Sequence, residues 1–258
     1  MRNPLAIPAR ECPENMVSTQ KKITETERNQ MKKYEVLLFD VDGTLLDFDK
    51  AEEEGIEGLL KHFNVPVTEE NKHSYHVINK RYWEMLERGE ITRDRLLGQR
   101  FEEFFGGFGI TIEDGAEVDE LYRKYLNASA VLIDGAIEML ESLKGKYPLY
   151  IVSNGVAATQ YNRLAKSGLD KYFDGIFISE EANAQKPQIE FFEYCFEKMG
   201  RRDVENMLII GDSLTSDMRG GNNAGIDTMW FNPQGQENTT EVRLNYIVKT
   251  LNEIKEML

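Results

Sequence analysis

Val36-Leu37-Leu38-Phe39-Asp40-Val41-Asp42-Gly43-Thr44 decides how this chain is read. An apolar run predicts a first strand over 34–39. The run ends in one carboxylate, a second follows two residues later, and Gly43 allows a tight turn. A strand has no local reason to place two acids where it leaves the core. Asp-x-Asp-Gly is also an ordinary turn sequence. The chemical alternative is a corner shared by a nucleophilic carboxylate, an acid/base partner and a hard metal ion. Later segments must decide between the two.

Beyond this stretch the rhythm changes twice. Between Asp49 and about Leu126 apolar residues recur at helical spacing: Ile56, Leu59, Leu60 and Phe63; then Tyr75, Ile78, Tyr82, Met85 and Leu86; then Leu96, Leu97, Phe101, Phe104 and Phe105; then Val118, Leu121, Tyr122 and Tyr125. Residues 48–126 therefore read as a four-helix insertion. From Val131 helices and short apolar strands alternate. Helices are expected at 134–145, 156–167, 188–199, 215–224 and 249–257, and strands at 149–152, 175–178, 207–210 and 228–231. That alternation predicts an α/β fold, a parallel sheet covered on both faces. Residues 31–47 and 127–258 form its core. Residues 1–30, polar and interrupted by Pro4, Pro8 and Pro13, read as a flexible extension, with Met31 resembling a natural start.

Composition narrows the partners. The 258 residues carry a formal charge of −14, which disfavours a nucleic-acid polymer. Small phosphate esters stay open, because a metal and one or two cations can reverse the sign locally. Cys12 and Cys195 form no metal pair by spacing, and a disulfide framework is not expected. A reducing cytoplasm fits. No apolar stretch approaches the roughly 18 residues of a membrane span. The sequons Asn127-Ala128-Ser129 and Asn238-Thr239-Thr240 read as chance matches, because Leu5–Ala9 is too short for a secretory core.

In such sheets ligands sit at the carboxyl ends of the strands. The first strand ends in Asp40, the second in Ser153-Asn154-Gly155, and the third leads to Lys186. The fourth ends in Gly211-Asp212-Ser213, with Asp217 five residues beyond Asp212. Singly these are a turn, a helix cap, a solvated lysine and a solvated helix face. Together they place a nucleophile candidate, a hydroxyl, a cation and metal-type carboxylates on one sheet edge. The histidines, His62, His73 and His76, all fall in the helical insertion, which argues against a serine–histidine hydrolase or a zinc site. The insertion's aromatic residues read mostly as its core, with one or two left to stack on a base.

At this point the chain resembles the phosphatase majority of the haloacid dehalogenase superfamily. Asp40-Val41-Asp42-Gly43-Thr44 is similar to the first motif, Ser153 to the second, Lys186 to the third and Gly211–Asp217 to the fourth. The resemblance implies a Rossmann-like core with the first strand at its centre and a C1 helical cap. It implies Asp40 as nucleophile, Asp42 as acid/base and Lys186 as charge-neutralising catalytic lysine. Ser153, Asn154, Thr44 and Lys186 would hold the phosphoryl group. Asp40, the backbone carbonyl of Asp42, Asp212 and Asp217 would hold or orient Mg²⁺. Halide-removing members lack the second aspartate, so Asp42 argues for a phosphatase. The run Gly211–Pro233 is similar to bacterial pyrimidine 5′-nucleotidases acting on noncanonical nucleotides. The substrate expected is therefore a small phosphorylated molecule, a nucleoside 5′-monophosphate. A phosphomutase or a sugar-phosphate phosphatase is the alternative, and either a monomer or a homodimer fits.

Overall fold

All four side chains of β1 (Val36–Phe39) are fully buried, and they alternate between two cores. Leu37 and Phe39 join an apolar cluster with Met139, Leu208 and Ile210, while Val36 and Leu38 join a second with Phe191, Phe192 and Ile209. This is the two-residue period of a strand with helices on both faces. Burial of each such side chain contributes about 1.5–3 kcal/mol.

The computed structural model describes residues 33–258; the segment read as an extension lies outside the described residues. Four helices follow β1: α1 (Phe48–His62), α2 (Glu69–Glu87), α3 (Arg93–Gly106) and α4 (Gly115–Leu126). Then come α5 (Ala136–Leu143), β2 (Leu149–Ser153), α6 (Ala157–Ser167), β3 (Gly175–Ile178), α7 (Ser179–Ala182) and α8 (Ile189–Met199). The chain closes with β4 (Met207–Gly211), α9 (Arg219–Ala224), β5 (Asp227–Phe231), β6 (Tyr246–Val248) and α10 (Leu251–Met257). The six strands pair in parallel in the order β3-β2-β1-β4-β5-β6. The chain thus starts in the middle, steps outward to β3, and returns on the other side of β1. Strand order reverses between β1 and β4, which opens a crevice at their carboxyl ends.

Besides two short 3-10 turns, Asp170–Tyr172 and Val204–Asn206, three elements were not in the sequence reading as drawn. β6 is a three-residue edge strand, too short to show a period. α7 is a single turn after β3. The helix expected from 215 begins as a π-helical turn, Leu214–Met218, before α9, a geometry often met beside functional groups.

Each helix of the insertion starts on a polar side chain that accepts a first-turn N–H: Asp47, Thr68, Thr92 and Asp114. Such caps contribute about 1 kcal/mol each. The four helices bury their own apolar cluster, which includes Ile56, Leu59, Tyr75, Phe101, Phe105 and Tyr122. Most aromatic residues of the insertion are spent there; Tyr75, for instance, stacks on Phe101 with ring centres 5.6 Å apart.

Helices α3 and α4 meet at Gly98 and Gly115. A Cβ on Gly115 would lie 2.5 Å from the Gly98 Cα, whereas one on Gly98 would find its nearest neighbour at 3.6 Å. Gly115→Ala is expected to lower stability to urea by about 1–3 kcal/mol, because only movement of a backbone relieves the clash. Gly98→Ala should be neutral or stabilising by up to ~1 kcal/mol through helix propensity. Equal urea midpoints for the two variants would contradict this packing.

Candidate active site

The parallel register brings three strand ends level. Phe39 pairs with Ile151 of β2 and with Ile210 of β4. Asp40 follows Phe39 directly, and Ser153 and Asp212 stand two residues beyond its partners, so the three leave the sheet at the same edge within one residue of level. A cavity of about 280 Å³ opens there, lined by Asp40, Asp42, Ser153, Asn154, Lys186, Asp212 and Asp217. Thr44 alone among the eight expected site residues is not part of that lining. It is fully buried, and its hydroxyl donates to Asp212 Oδ1 at 3.3 Å.

The turn after β1 is tight for a reason. Gly43 has φ +81°, and a Cβ on it would lie 2.5 Å from Asp212 Oδ2. A side chain here would be strained by its backbone angle and would also displace a carboxylate of the site.

Lys186 holds the centre. Its ammonium is buried and donates to Asp40 Oδ1, Asp217 Oδ1 and the Val152 carbonyl, each at 2.6 Å. Three acceptors use all three donors of the group. Asn154 positions this lysine. Its side-chain Nδ2 donates to the Lys186 carbonyl, and its Oδ1 accepts from the Lys186 N–H, both at 2.9 Å. The amide expected to meet a phosphoryl group is thus occupied in shaping the loop that delivers Lys186.

Ser153 Oγ accepts from Gly155 N–H at 3.1 Å and from Gln160 Nε2 at 2.6 Å. Both lone pairs are taken, which leaves the hydroxyl proton to donate. Asp42 is gripped by Gln160, whose Nε2 donates to Oδ2 at 2.6 Å, and by an ion pair with Arg163.

Asp40, Asp212 and Asp217 present carboxylate oxygens within 4.8 Å of one another. Three carboxylates against the Lys186 ammonium leave two negative charges. Burial pushes the Asp40 carboxyl up to about 7; Lys186 pulls against this, and Asp217 and Asp42 add repulsion. Burial, then repulsion from Asp40 and Asp217, holds Asp212 well above the usual carboxylate range. This all-oxygen, net-negative set fits a hard divalent cation, which would relieve the repulsion that the lysine leaves. Among the described residues it is the one such metal-type cluster. His76 bonds Glu52 at 2.5 Å and lies outside it.

Residues that the sequence reading did not single out complete the site. Gln160 and Arg163 lie on α6, for which the sequence reading gave only a helix over 156–167. Their signal was polar residues one turn apart on the face that also carries Leu164, which packs into the sheet's core. The insertion is tied to the core loops around the site. Glu87 Oε2 accepts from the Thr215 hydroxyl at 2.7 Å, and the Leu86 carbonyl accepts from Gln185 Nε2 at 2.8 Å. Arg93 donates to Ser179 Oγ at 2.6 Å and to the Asn154 carbonyl at 3.0 Å. Phe48 and Trp83 of the insertion are half-buried and line the same cavity.

Known proteins share this fold. The sequence profile of the haloacid dehalogenase-like hydrolases matches residues 37–231. The HAD-hydrolase YfnB of Bacillus subtilis is 42% identical over 88% of this chain and 97% of its own length. Its crystal structure bound to magnesium superposes with a TM-score of 0.83, covering 88% of this chain and 99% of that one. The pyrimidine 5′-nucleotidase PynA of Streptococcus pneumoniae is 41% identical over 87% of this chain and 95% of its own. The pyrimidine 5′-nucleotidase YjjG of Escherichia coli is 32% identical over 88% and 98%. A dehalogenase structure at 20% identity and a TM-score of 0.68 shares the fold. The chain belongs to the haloacid dehalogenase-like hydrolases, in the branch that holds these relatives, as the motifs at the strand tips imply. No helix of the described residues is long and apolar enough to cross a membrane.

Glu87 gives a pH test of the seam between insertion and core. Burial raises its carboxyl from 4.5 to about 7; Thr215 and Lys186 oppose the rise and Asp217 adds to it. A carboxyl whose folded value is raised favours its protonated form in the fold. Its stabilising contribution is complete below the unfolded value and is lost as pH rises through the folded one. Glu87→Gln keeps an acceptor for Thr215 without the charge. Its melting temperature relative to the parent is expected to rise between about pH 5 and about pH 8. A pH-independent difference would refute a raised Glu87.

Proposed function

We propose that this protein is a Mg²⁺-dependent phosphomonoester hydrolase that works through an aspartyl phosphate on Asp40, with pyrimidine nucleoside 5′-monophosphates as substrates. The observation that carries the proposal is the meeting of Asp40, Asp42, Ser153, Lys186 and Asp212 in one cavity. Asp40, Asp212, the carbonyl of Asp42 and Asp217 would hold Mg²⁺ or orient its shell. When bound, the ion supplies positive charge against phosphoryl oxygens and favours the ionised acids.

The chain's own residues do the rest. Asp40 attacks phosphorus, and the bond to the ester oxygen breaks. Asp42 gives that oxygen its proton. In the second half Asp42 takes a proton from water as the water oxygen attacks phosphorus. The Asp40–phosphorus bond then breaks and inorganic phosphate leaves. Lys186 offsets the charge of Asp40 and of the phosphoryl group, and Ser153 has a hydroxyl proton ready for a phosphoryl oxygen. The four-helix insertion, residues 48–126, acts as the cap. Its tethers at Glu87, Leu86 and Arg93 suit closure over the site.

Two observations support a nucleotide. The relatives PynA and YjjG are pyrimidine 5′-nucleotidases. The cavity, at about 280 Å³, is near the low end of the roughly 300–1,000 Å³ of ligand pockets, and Phe48 and Trp83 offer aromatic surface for a single-ring base.

A panel of phosphate esters assayed with and without Mg²⁺ tests this reading. UMP and dTMP should release phosphate only with the ion. Asp40→Asn should fall by on the order of 10³-fold or more in kcat/KM, because loss of the nucleophile removes the pathway. Sugar phosphates turned over while UMP and dTMP are ignored would reject the nucleotide assignment. An isomerised product in place of free phosphate would indicate a mutase.

A further inference from the structure

Helix α6 buries the wrong kind of face. Its buried residues are Thr159, Gln160, Arg163 and Leu164, where a helix against a sheet usually presents an apolar stripe. Only Leu164 joins an apolar cluster. Thr159, Gln160 and Arg163 are 6%, 1% and 0% exposed, and all line the cavity that holds Asp40.

Part of this polarity is used inside the protein. Gln160 Nε2 donates to Asp42 and Ser153, and Arg163 Nη1 pairs with Asp42. The remainder has no partner. Thr159 Oγ1, Gln160 Oε1, Arg163 Nε and Arg163 Nη2 are four of the ten buried side-chain atoms without a hydrogen bond among the described residues. Each is an unmade hydrogen bond that opposes folding, although the Arg163 guanidinium also lies over the Phe48 ring, 5.8 Å from its centre. Holding Asp42 explains Nη1 and Nε2 but not these atoms. Thr159 in particular bonds neither Asp42 nor Ser153.

The unpartnered set offers N–H donors at Arg163, an acceptor at Gln160 and a hydroxyl at Thr159. It complements a group whose oxygens both donate and accept, which is the chemistry of sugar hydroxyls. Its place identifies the sugar. Gln160 and Arg163 are bonded to Asp42, the group that hands its proton to the leaving oxygen. What they meet is the part of the substrate attached to that oxygen, and in a nucleoside 5′-monophosphate this is the pentose. We infer that the buried polar face of α6 is a pentose subsite that selects the leaving group, with Thr159, Gln160 and Arg163 as specificity-determining residues. This rests on the phosphomonoesterase reading above.

The test compares the parent protein, Thr159→Val and Arg163→Lys on UMP, ribose 5-phosphate and p-nitrophenyl phosphate, with uridine-induced melting shifts measured alongside. Thr159→Val should lose ~3–10-fold more kcat/KM on the two pentose esters than on p-nitrophenyl phosphate, the worth of one hydrogen bond. Arg163→Lys, which keeps a cation near Asp42 but lacks the fork, should lose more, chiefly in KM. Uridine should raise the melting temperature of the parent more than that of Thr159→Val. Equal losses on all three esters, with equal uridine shifts, would overturn the subsite. A parent protein that cleaves none of the esters yet keeps a Thr159-dependent uridine shift would overturn the phosphatase reading and uphold the subsite.

Discussion

The structure depends on one buried ammonium. Lys186 sits among two carboxylates and a carbonyl, with every donor used. Removing a lysine from water costs several kcal/mol, and paired acids with matched geometry are what offset it. The acids are themselves held from behind. Asp217 Oδ2 accepts from the Ser213 N–H at 3.1 Å, and the Asp212 carbonyl accepts from the Trp230 indole at 2.7 Å. Asn154 fixes the backbone on either side of the lysine. The sheet can therefore gather like charges at one edge without being forced apart, and the negative charge that remains fits a hard divalent cation.

The position of the cavity follows from how the two parts of the chain satisfy themselves. The sheet and its helices bury apolar clusters of their own, and the four-helix insertion buries another. Neither needs the other to complete a core. What joins them around the site is polar: the bonds at Glu87, Leu86 and Arg93. Polar bonds of this kind are individually weak in net terms, about 0.5–1.5 kcal/mol.

Much of this was legible in the sequence, residue by residue. Val36–Phe39 read as a doubly buried strand and is one, because four apolar residues in succession leave no polar face to turn outward. The helices expected to end near 167 and 224 do so, and Gly168 and Gly225 adopt left-handed backbone after α6 and α9. Other features were hidden. β6 is three residues long and takes its order from β5 beside it. Thr44 and Asn154 belong to motif-like stretches, yet one bonds Asp212 from beneath and the other clamps Lys186. Which way a short polar side chain turns depends on neighbours that are distant in sequence. Gln160 and Arg163 sit more than a hundred residues from Asp42, and no local pattern could pair them.

By itself the sequence determined the five longer strands, the helices that separate them, and which acids stand at strand ends, because periodicity and chain order are local properties. Only the tertiary structure decided that Lys186 is shared between Asp40 and Asp217, that Asp42 is held by α6, and that Glu87 reaches Thr215. Those choices come from the parallel register and the seating of the insertion. Both are set by long-range packing, which places groups a few ångströms apart that the chain separates by scores of residues.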